Sequence, residues 1–132
     1  MGIGGGAATV FATSLDGEPL AASSRILVTH LTDAQNTGAR YADAAMTVLL
    51  DWGRLPYLMR AGKADIELFT TAKGSQDEQL PFANNPFRVF ALSSSGARRA
   101  EIPCRYADGV LRFVADVARD PAEATFLYEV VR

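Results

Sequence analysis

The side chains of this sequence that could act in catalysis are its only histidine and a scatter of carboxylates. His30 precedes Asp33 by three residues, so that this carboxylate could orient the imidazole as a general base. A histidine at a strand end that hydrogen-bonds a loop is the alternative, and we favour it. Serine-hydrolase chemistry lacks support, because no Gly-x-Ser-x-Gly elbow is present and residues 93–96 (SSSG) are better explained as a turn.

Carboxylates form the second set of candidates, because a protonated and an ionised carboxyl group together cleave glycosidic bonds. Asp33, Asp51 and Glu67 are the acidic residues we single out for this role. Asp65 and Glu67 point to the same face of a predicted strand, with Cβ atoms roughly 6–7 Å apart. The same alternation is produced by a strand that faces solvent, and we favour that interpretation for this pair.

Two aromatic residues are candidates for binding. Trp52 and Tyr57 flank Gly53 and Pro56 in a turn-rich link, and flat aromatic faces can stack on sugar rings. The two residues are therefore a candidate carbohydrate-binding site. A lone tryptophan can instead plug the open end of a sandwich, and we favour this packing role for Trp52.

Metal and cofactor sites have little support in the residue types. With one cysteine, Cys104, and one histidine, the chain cannot form a structural zinc site or an internal disulfide. Oxygen ligands at Asp16, Asp33 or residues 77–78 (DE) would suit calcium, but no loop matches a calcium signature. We predict neither a metal nor a cofactor.

Composition limits the domain organisation and the partners. The 132 residues, 48% hydrophobic and 21% charged, suit one globular domain. The formal net charge is −2 and no basic block is present, which argues against nucleic acid, and no basic amphipathic helix suggests a membrane surface. Residues 1–6 lack the features of a signal peptide and are predicted to be a flexible leader before a single domain at 7–132.

Short strands must position these side chains. Residues 87–131 contain runs rich in Val, Phe, Ile, Leu and Tyr separated by Ser-Gly and Asp-Gly turns, which predicts an antiparallel meander. Residues 24–31 and 63–70 are also strand-like. Residues 41–50 could form a short helix, but we favour a strand around 47–50. We predict an all-β antiparallel sandwich of about eight strands, jelly-roll or immunoglobulin-like, with at most one short helix.

Two blocks of sequence carry a family resemblance. The first comprises residues 14–20 (SLDGEPL), 24–32 (SRILVTHLT) and 36–38 (NTG). The second comprises residues 52–56 (WGRLP), 64–68 (ADIEL), 88–92 (RVFAL), Gly96, 108–109 (DG) and 128–130 (YEV). Together they resemble the C-terminal β-sandwich domain that follows the catalytic (β/α)₈ barrel in large bacterial retaining glycoside hydrolases.

The resemblance implies an accessory role. In such enzymes the catalytic carboxylates lie on the barrel, which needs upwards of about 200 residues and is absent from this chain. The domain would pack on the catalytic barrel or bind carbohydrate weakly, in a secreted or periplasmic bacterial enzyme. Two alternatives stay open: a small stand-alone glycosidase that uses surface carboxylates, and an interaction module that homodimerises through an apolar face.

Overall fold

The computed structural model describes residues 3–4, 7–71 and 85–132. In these ranges the chain forms β-strands joined by turns, without helix. The strands are β1 (Ile3–Gly4), β2 (Thr9–Ser14), β3 (Arg25–Leu31), β4 (Ala34–Thr37), β5 (Arg40–Tyr41), β6 (Leu49–Asp51), β7 (Arg54–Met59), β8 (Lys63–Phe69), β9 (Arg88–Leu92), β10 (Arg98–Ile102), β11 (Cys104–Ala107), β12 (Val110–Asp116) and β13 (Leu127–Val131). No helix in the described ranges is long and apolar enough to cross a membrane.

Two antiparallel sheets pack face to face and form a sandwich. One sheet has five strands in the order β10-β9-β13-β3-β2, and the other has four in the order β1-β8-β12-β11. The prediction of an all-β antiparallel sandwich is therefore confirmed. Strands β4 to β7 belong to neither sheet and form two small two-stranded ribbons of their own.

The core lies between the two sheets because the central strands alternate apolar residues inward with polar residues outward. On β12, for example, Leu111 and Phe113 are buried whereas Arg112 is exposed. Full burial of a Leu or Phe side chain contributes about 1.5–3 kcal/mol. The core cluster comprises Ile26, Val28, Ala64, Ile66, Phe87, Val89, Ala91, Ile102, Leu111, Phe113, Ala115, Tyr128 and Val130.

Tyr128 ties the two sheets together. Its ring, on β13, is fully buried and packs against Phe113 of β12, with ring centroids 5.7 Å apart. Its hydroxyl accepts a hydrogen bond from the Asp116 N–H at 2.8 Å and lies 3.2 Å from the Asp116 carbonyl oxygen, to which it can donate. Burial raises the pKa of Tyr128 to about 12, so the phenol stays protonated over the whole physiological range.

The ambiguous segment at residues 41–50 is a hairpin and not a helix. Met46 adopts a left-handed backbone with φ of 57°, a conformation that interrupts helical hydrogen bonding. The Ala42 N–H donates to the Val48 carbonyl at 3.0 Å and closes the loop. The favoured strand begins slightly later than predicted, at Leu49–Asp51, where it pairs with β5.

The structure describes only part of the predicted flexible leader at residues 1–6. Ile3 and Gly4 pair with Ala64 and Lys63 at the edge of the four-stranded sheet. Residues 1–2 and 5–6 lie outside the described part of the chain. The flexible leader at 1–6 and the single domain at 7–132 therefore remain predictions.

Candidate functional site

The candidate site lies on an excursion from the sandwich, residues 32–60, which we call the arm. The arm connects β3 of one sheet to β8 of the other and contains the ribbons β4-β7 and β5-β6. Its two ends are hydrogen-bonded to each other through Thr32, Asp33 and Arg60, and we call this junction the neck. The Thr32 hydroxyl donates to the Arg60 carbonyl at 2.6 Å, and the Arg60 N–H donates to the Asp33 carbonyl at 2.8 Å.

Asp33 has a structural partner in this neck. Its carboxylate accepts a hydrogen bond from the Arg60 guanidinium at 3.2 Å, between two side chains that are both largely exposed. An exposed ion pair of this kind is worth at most about 1 kcal/mol. The pair keeps the charge of the neck balanced, and a catalytic role for Asp33 remains a prediction.

The turn that presents Trp52 depends on its two neighbours. The Gly53 N–H donates to the Asp51 carboxylate at 2.9 Å, which is the bond that an aspartate makes in a tight turn. Gly53 has a φ of 69°, and a Cβ atom there would lie 2.4 Å from the Thr37 carbonyl oxygen. Only glycine fits, because the backbone of the turn lies directly against that of the opposite strand. Asp51 is thus a turn residue, and its catalytic role remains a prediction.

Trp52 projects from this turn into solvent. Its side chain is 77% exposed, so the favoured interpretation, that it plugs the open end of the sandwich, is wrong. Its backbone is nevertheless fixed, because the Asn36 side-chain amide donates to the Trp52 carbonyl at 3.1 Å. An exposed indole on a fastened backbone presents a flat apolar face to a ligand at a small cost in conformational entropy.

Tyr57 is the other predicted binding residue, and the structure brings it to the same site as Trp52. Its ring packs edge-on against Phe126 of the sandwich, with centroids 6.4 Å apart and an angle of 74° between the planes. The side chain remains 36% exposed. The neighbouring Thr37 hydroxyl donates to the Pro56 carbonyl at 2.6 Å and secures this end of β7.

Both aromatic residues line one open cavity with a volume of about 260 Å³. We call it the arm cavity. Its walls come from both ribbons and from the turn between them, and the described residues among them include no charged side chain. The lining residues are Ala34, Gln35, Asn36, Ala39, Tyr41, Leu49, Trp52 and Tyr57. The sequence analysis missed Tyr41 and the two amides, since only the pairing of the ribbons brings them beside Trp52.

His30 does not line the arm cavity and instead lies in the core. It is fully buried, and both ring nitrogens lack a hydrogen-bond partner among the described residues. Neither the bond to Asp33 nor the bond to a loop that we considered is formed there. Burial lowers the pKa of His30, although the Asp116 carboxylate acts in the opposite direction. His30 as a catalytic base remains a prediction.

Glu67 lies on the outer face of the four-stranded sheet. It accepts a hydrogen bond from the Arg112 guanidinium at 2.9 Å, and both side chains are nearly half exposed. Asp65 and Lys63 are also exposed on this strand, as the solvent-facing interpretation predicts. The structure therefore places Asp33 and Asp51 on the arm and Glu67 on the sheet, each with a hydrogen-bonded partner of its own.

Asp16 was considered as a calcium ligand and instead fastens a turn. Its carboxylate accepts hydrogen bonds from the hydroxyl groups of Ser14, Ser23 and Ser24 at 2.7–2.8 Å. These bonds hold the pKa of Asp16 far below its usual range. Residues 77–78 lie outside the described ranges, and inside them no three His, Cys, Asp or Glu side chains are grouped so as to hold a metal ion.

A second feature that the sequence analysis missed is a buried carboxylate on the outer face of the five-stranded sheet. Glu129 is 3% exposed and bonds to Arg25 at 2.7 Å and to Arg98 at 2.6 Å. Hydrogen bonds from Arg98 and Arg25 lower its pKa. Arg98 and Arg99 open the edge strand β10, and Arg99 pairs with the carboxylates of Asp120 and Glu123.

No protein family, no curated protein and no solved structure matches this chain.

Proposed function

We propose that this chain is an accessory β-sandwich domain associated with glycoside hydrolysis, and that it contacts carbohydrate through the arm cavity. The observation that carries the proposal is the grouping of three aromatic side chains, Tyr41, Trp52 and Tyr57, around one open cavity. Sugar rings present apolar C–H faces that pack on aromatic rings, and Trp52 is the most exposed of the large apolar side chains in the described ranges.

Polar groups in the same cavity support a hydroxylated ligand. Gln35 and Asn36 contribute side-chain amides, and the two tyrosines contribute hydroxyl groups. Amides and phenols can both donate and accept, which matches the mixed donors and acceptors of a sugar. An apolar surface combined with a few convergent polar groups is the usual composition of a small-ligand site.

The second element of the proposal is that the arm packs on a catalytic domain. Large apolar side chains are exposed along it: Met46, Val48, Leu50, Leu55 and Leu58. Contiguous exposed apolar surface marks contacts with other proteins. The same observation favours a second candidate function, an interaction module that forms homo-oligomers through the arm.

Ligand titration followed by tryptophan fluorescence tests the first element. Trp52 is the only tryptophan, so the signal reports the arm cavity alone. We expect saturable changes with soluble oligosaccharides, and binding that is about tenfold weaker, measured by calorimetry, in Trp52→Ala. Phe69→Ala is the matched control, because Phe69 is 71% exposed and lies on the four-stranded sheet. Absence of binding across a broad glycan panel, or binding of a proline-rich peptide in its place, would contradict the proposal.

Sedimentation velocity distinguishes self-association through the apolar surface of the arm from packing of that surface on a catalytic domain. Self-association that Leu55→Ser or Leu58→Ser abolishes, and Phe69→Ser does not, supports the homo-oligomer. A monomer at all concentrations leaves a catalytic domain as the proposed partner.

A panel of aryl-glycosides tests the alternative that the chain is a stand-alone glycosidase. We expect no turnover above a buffer blank. Turnover that Asp33→Ala, Asp51→Ala or Glu67→Ala abolishes would replace the accessory role with an enzymatic one.

A further inference from the structure

The walls of the arm cavity limit the kind of sugar that it can hold. Among the residues that the structure describes, none of the side chains lining the cavity is acidic or basic; they are those of alanine, leucine, glutamine, asparagine, tyrosine and tryptophan. An acidic sugar would place a carboxylate against this uncharged wall, where no cation compensates its loss of hydration. The wall composition therefore matches a neutral ring.

Several charged side chains of the arm are already hydrogen-bonded or ion-paired within the arm. The Asp51 carboxylate accepts the Gly53 N–H, and Asp33 is paired with Arg60. Arg40 and Arg54 are exposed on the arm, and neither makes an ion pair within the described ranges. These two guanidinium groups are the only arm cations that could attract an acidic sugar, and neither lines the cavity.

The size and shape of the cavity limit the length and form of the ligand. Its volume of about 260 Å³ is below the roughly 300–1,000 Å³ of pockets that enclose drug-sized ligands. One ring, and not a long stretch of chain, fits such a space. The cavity is concave, and a concave wall is not the flat strip that a crystalline polysaccharide face requires.

We propose that the arm cavity binds one neutral pyranose ring of a soluble glycan, stacked on Trp52, in preference to acidic or crystalline polysaccharides. This inference rests on the proposed carbohydrate contact. The amides of Gln35 and Asn36 contact the ring hydroxyl groups, and Asn36 also holds the Trp52 backbone. Gly53 is a positioning residue, since it allows the close approach of the turn to Thr37.

The experiment is a calorimetric titration of the full chain with three sets of ligands at matched concentrations. These are neutral gluco-, manno-, galacto- and xylo-oligosaccharides, oligogalacturonides, and suspensions of crystalline cellulose and chitin. We expect binding of at least one neutral series, with little gain in affinity beyond the first one or two sugar units. Trp52→Ala should weaken this binding about tenfold, the upper range for one aromatic contact. Phe69→Ala should leave it unchanged.

Each other outcome has a distinct meaning. Preference for oligogalacturonides that Arg40→Ala or Arg54→Ala removes would overturn the neutral-ring inference and leave the carbohydrate proposal standing. Adsorption to crystalline polysaccharide, or affinity that keeps rising with chain length, would overturn the single-ring inference in the same way. Absence of binding in all three sets would overturn both proposals.

Discussion

The side-chain amide of Asn36 donates a hydrogen bond to the main-chain carbonyl of Trp52 at 3.1 Å, from the strand on the opposite side of the arm. Together with the Asp51–Gly53 bond, it fixes the backbone of a residue whose side chain lies almost wholly in solvent. The position of the indole is therefore set by its backbone and not by packing of the ring.

Asn36→Ala should weaken oligosaccharide binding and leave the fold intact. A net hydrogen bond contributes about 0.5–1.5 kcal/mol, so the dissociation constant should rise by up to about tenfold and the Tm should fall by roughly 2–6 °C. Calorimetry and thermal unfolding measure the two effects. Asn85→Ala is the control, because Asn85 bonds to Cys104 in the sandwich and should affect stability but not binding. Wild-type affinity in Asn36→Ala would contradict both its contact with the sugar and its role in holding Trp52.

Gly53→Ala should distort the arm more than Gly38→Ala. Both glycines have positive φ, 69° and 75°, so both variants incur about 1–2 kcal/mol of backbone strain. Only at Gly53 would the new Cβ also meet backbone atoms, whereas at Gly38 nothing lies within 4 Å. We expect acrylamide quenching of Trp52 fluorescence and hydrogen exchange of the arm to change in Gly53→Ala and to stay near wild type in Gly38→Ala. Equal effects would show that the close approach to Thr37 is unimportant.

His30 should make the protein less stable as the pH falls. The pKa of His30 is lowered in the folded state by burial, against the opposing charge of Asp116, whereas the unfolded chain protonates near 6.5. Below that pH the unfolded state binds a proton that the folded state does not, so the free energy of unfolding decreases, by at most about 1.4 kcal/mol per pH unit. Urea unfolding at pH 8, 7, 6 and 5 measures this slope.

His30→Phe is the comparison that isolates the histidine. The variant should lose the slope between pH 7 and 5 whatever its absolute stability, because it removes the group that titrates. Parallel curves for the wild type and the variant would attribute the pH dependence to other residues.

Arg25 and Arg98 should be coupled through Glu129. Each single alanine variant leaves the buried carboxylate one guanidinium partner, whereas the double variant leaves it none among the described residues. A buried charge without a partner is strongly destabilising, so the double variant should lose more than the sum of the singles. A double-mutant cycle from urea unfolding gives the coupling. The exposed pair of Arg112 and Glu67 is the control and should couple by at most about 1 kcal/mol. Additive losses at Glu129 would contradict the prediction.

The sandwich was predictable because its strands carry a period-two pattern that hydrophobic burial enforces. Leu111, Phe113 and Ala115 alternate with Arg112 and Val114, and the structure buries the first set while it exposes the second. Local patterns of this kind require no knowledge of which strands pair.

The arm was not predictable to the same extent, because its geometry depends on pairing between residues distant in sequence. Trp52 was assigned to packing since burial is the common outcome for a large aromatic residue. Trp52 lies in the turn between β6 and β7, and no local pattern reveals that β7 pairs with β4 beside it. The burial of Glu129 was not predictable either. A single acidic residue in an apolar strand gives no sign that two arginines from other strands pair with it.

The neck formed by Thr32, Asp33 and Arg60 has a consequence for how such a domain can diversify. Because the two ends of the arm are hydrogen-bonded to each other, the sandwich holds them at a fixed separation whatever lies between them. Residues between the two ends can therefore be exchanged, lengthened or shortened without disturbing the core, so ligand preference can evolve independently of folding. The same property makes the neck a natural graft point, at which a foreign loop could be installed on this scaffold.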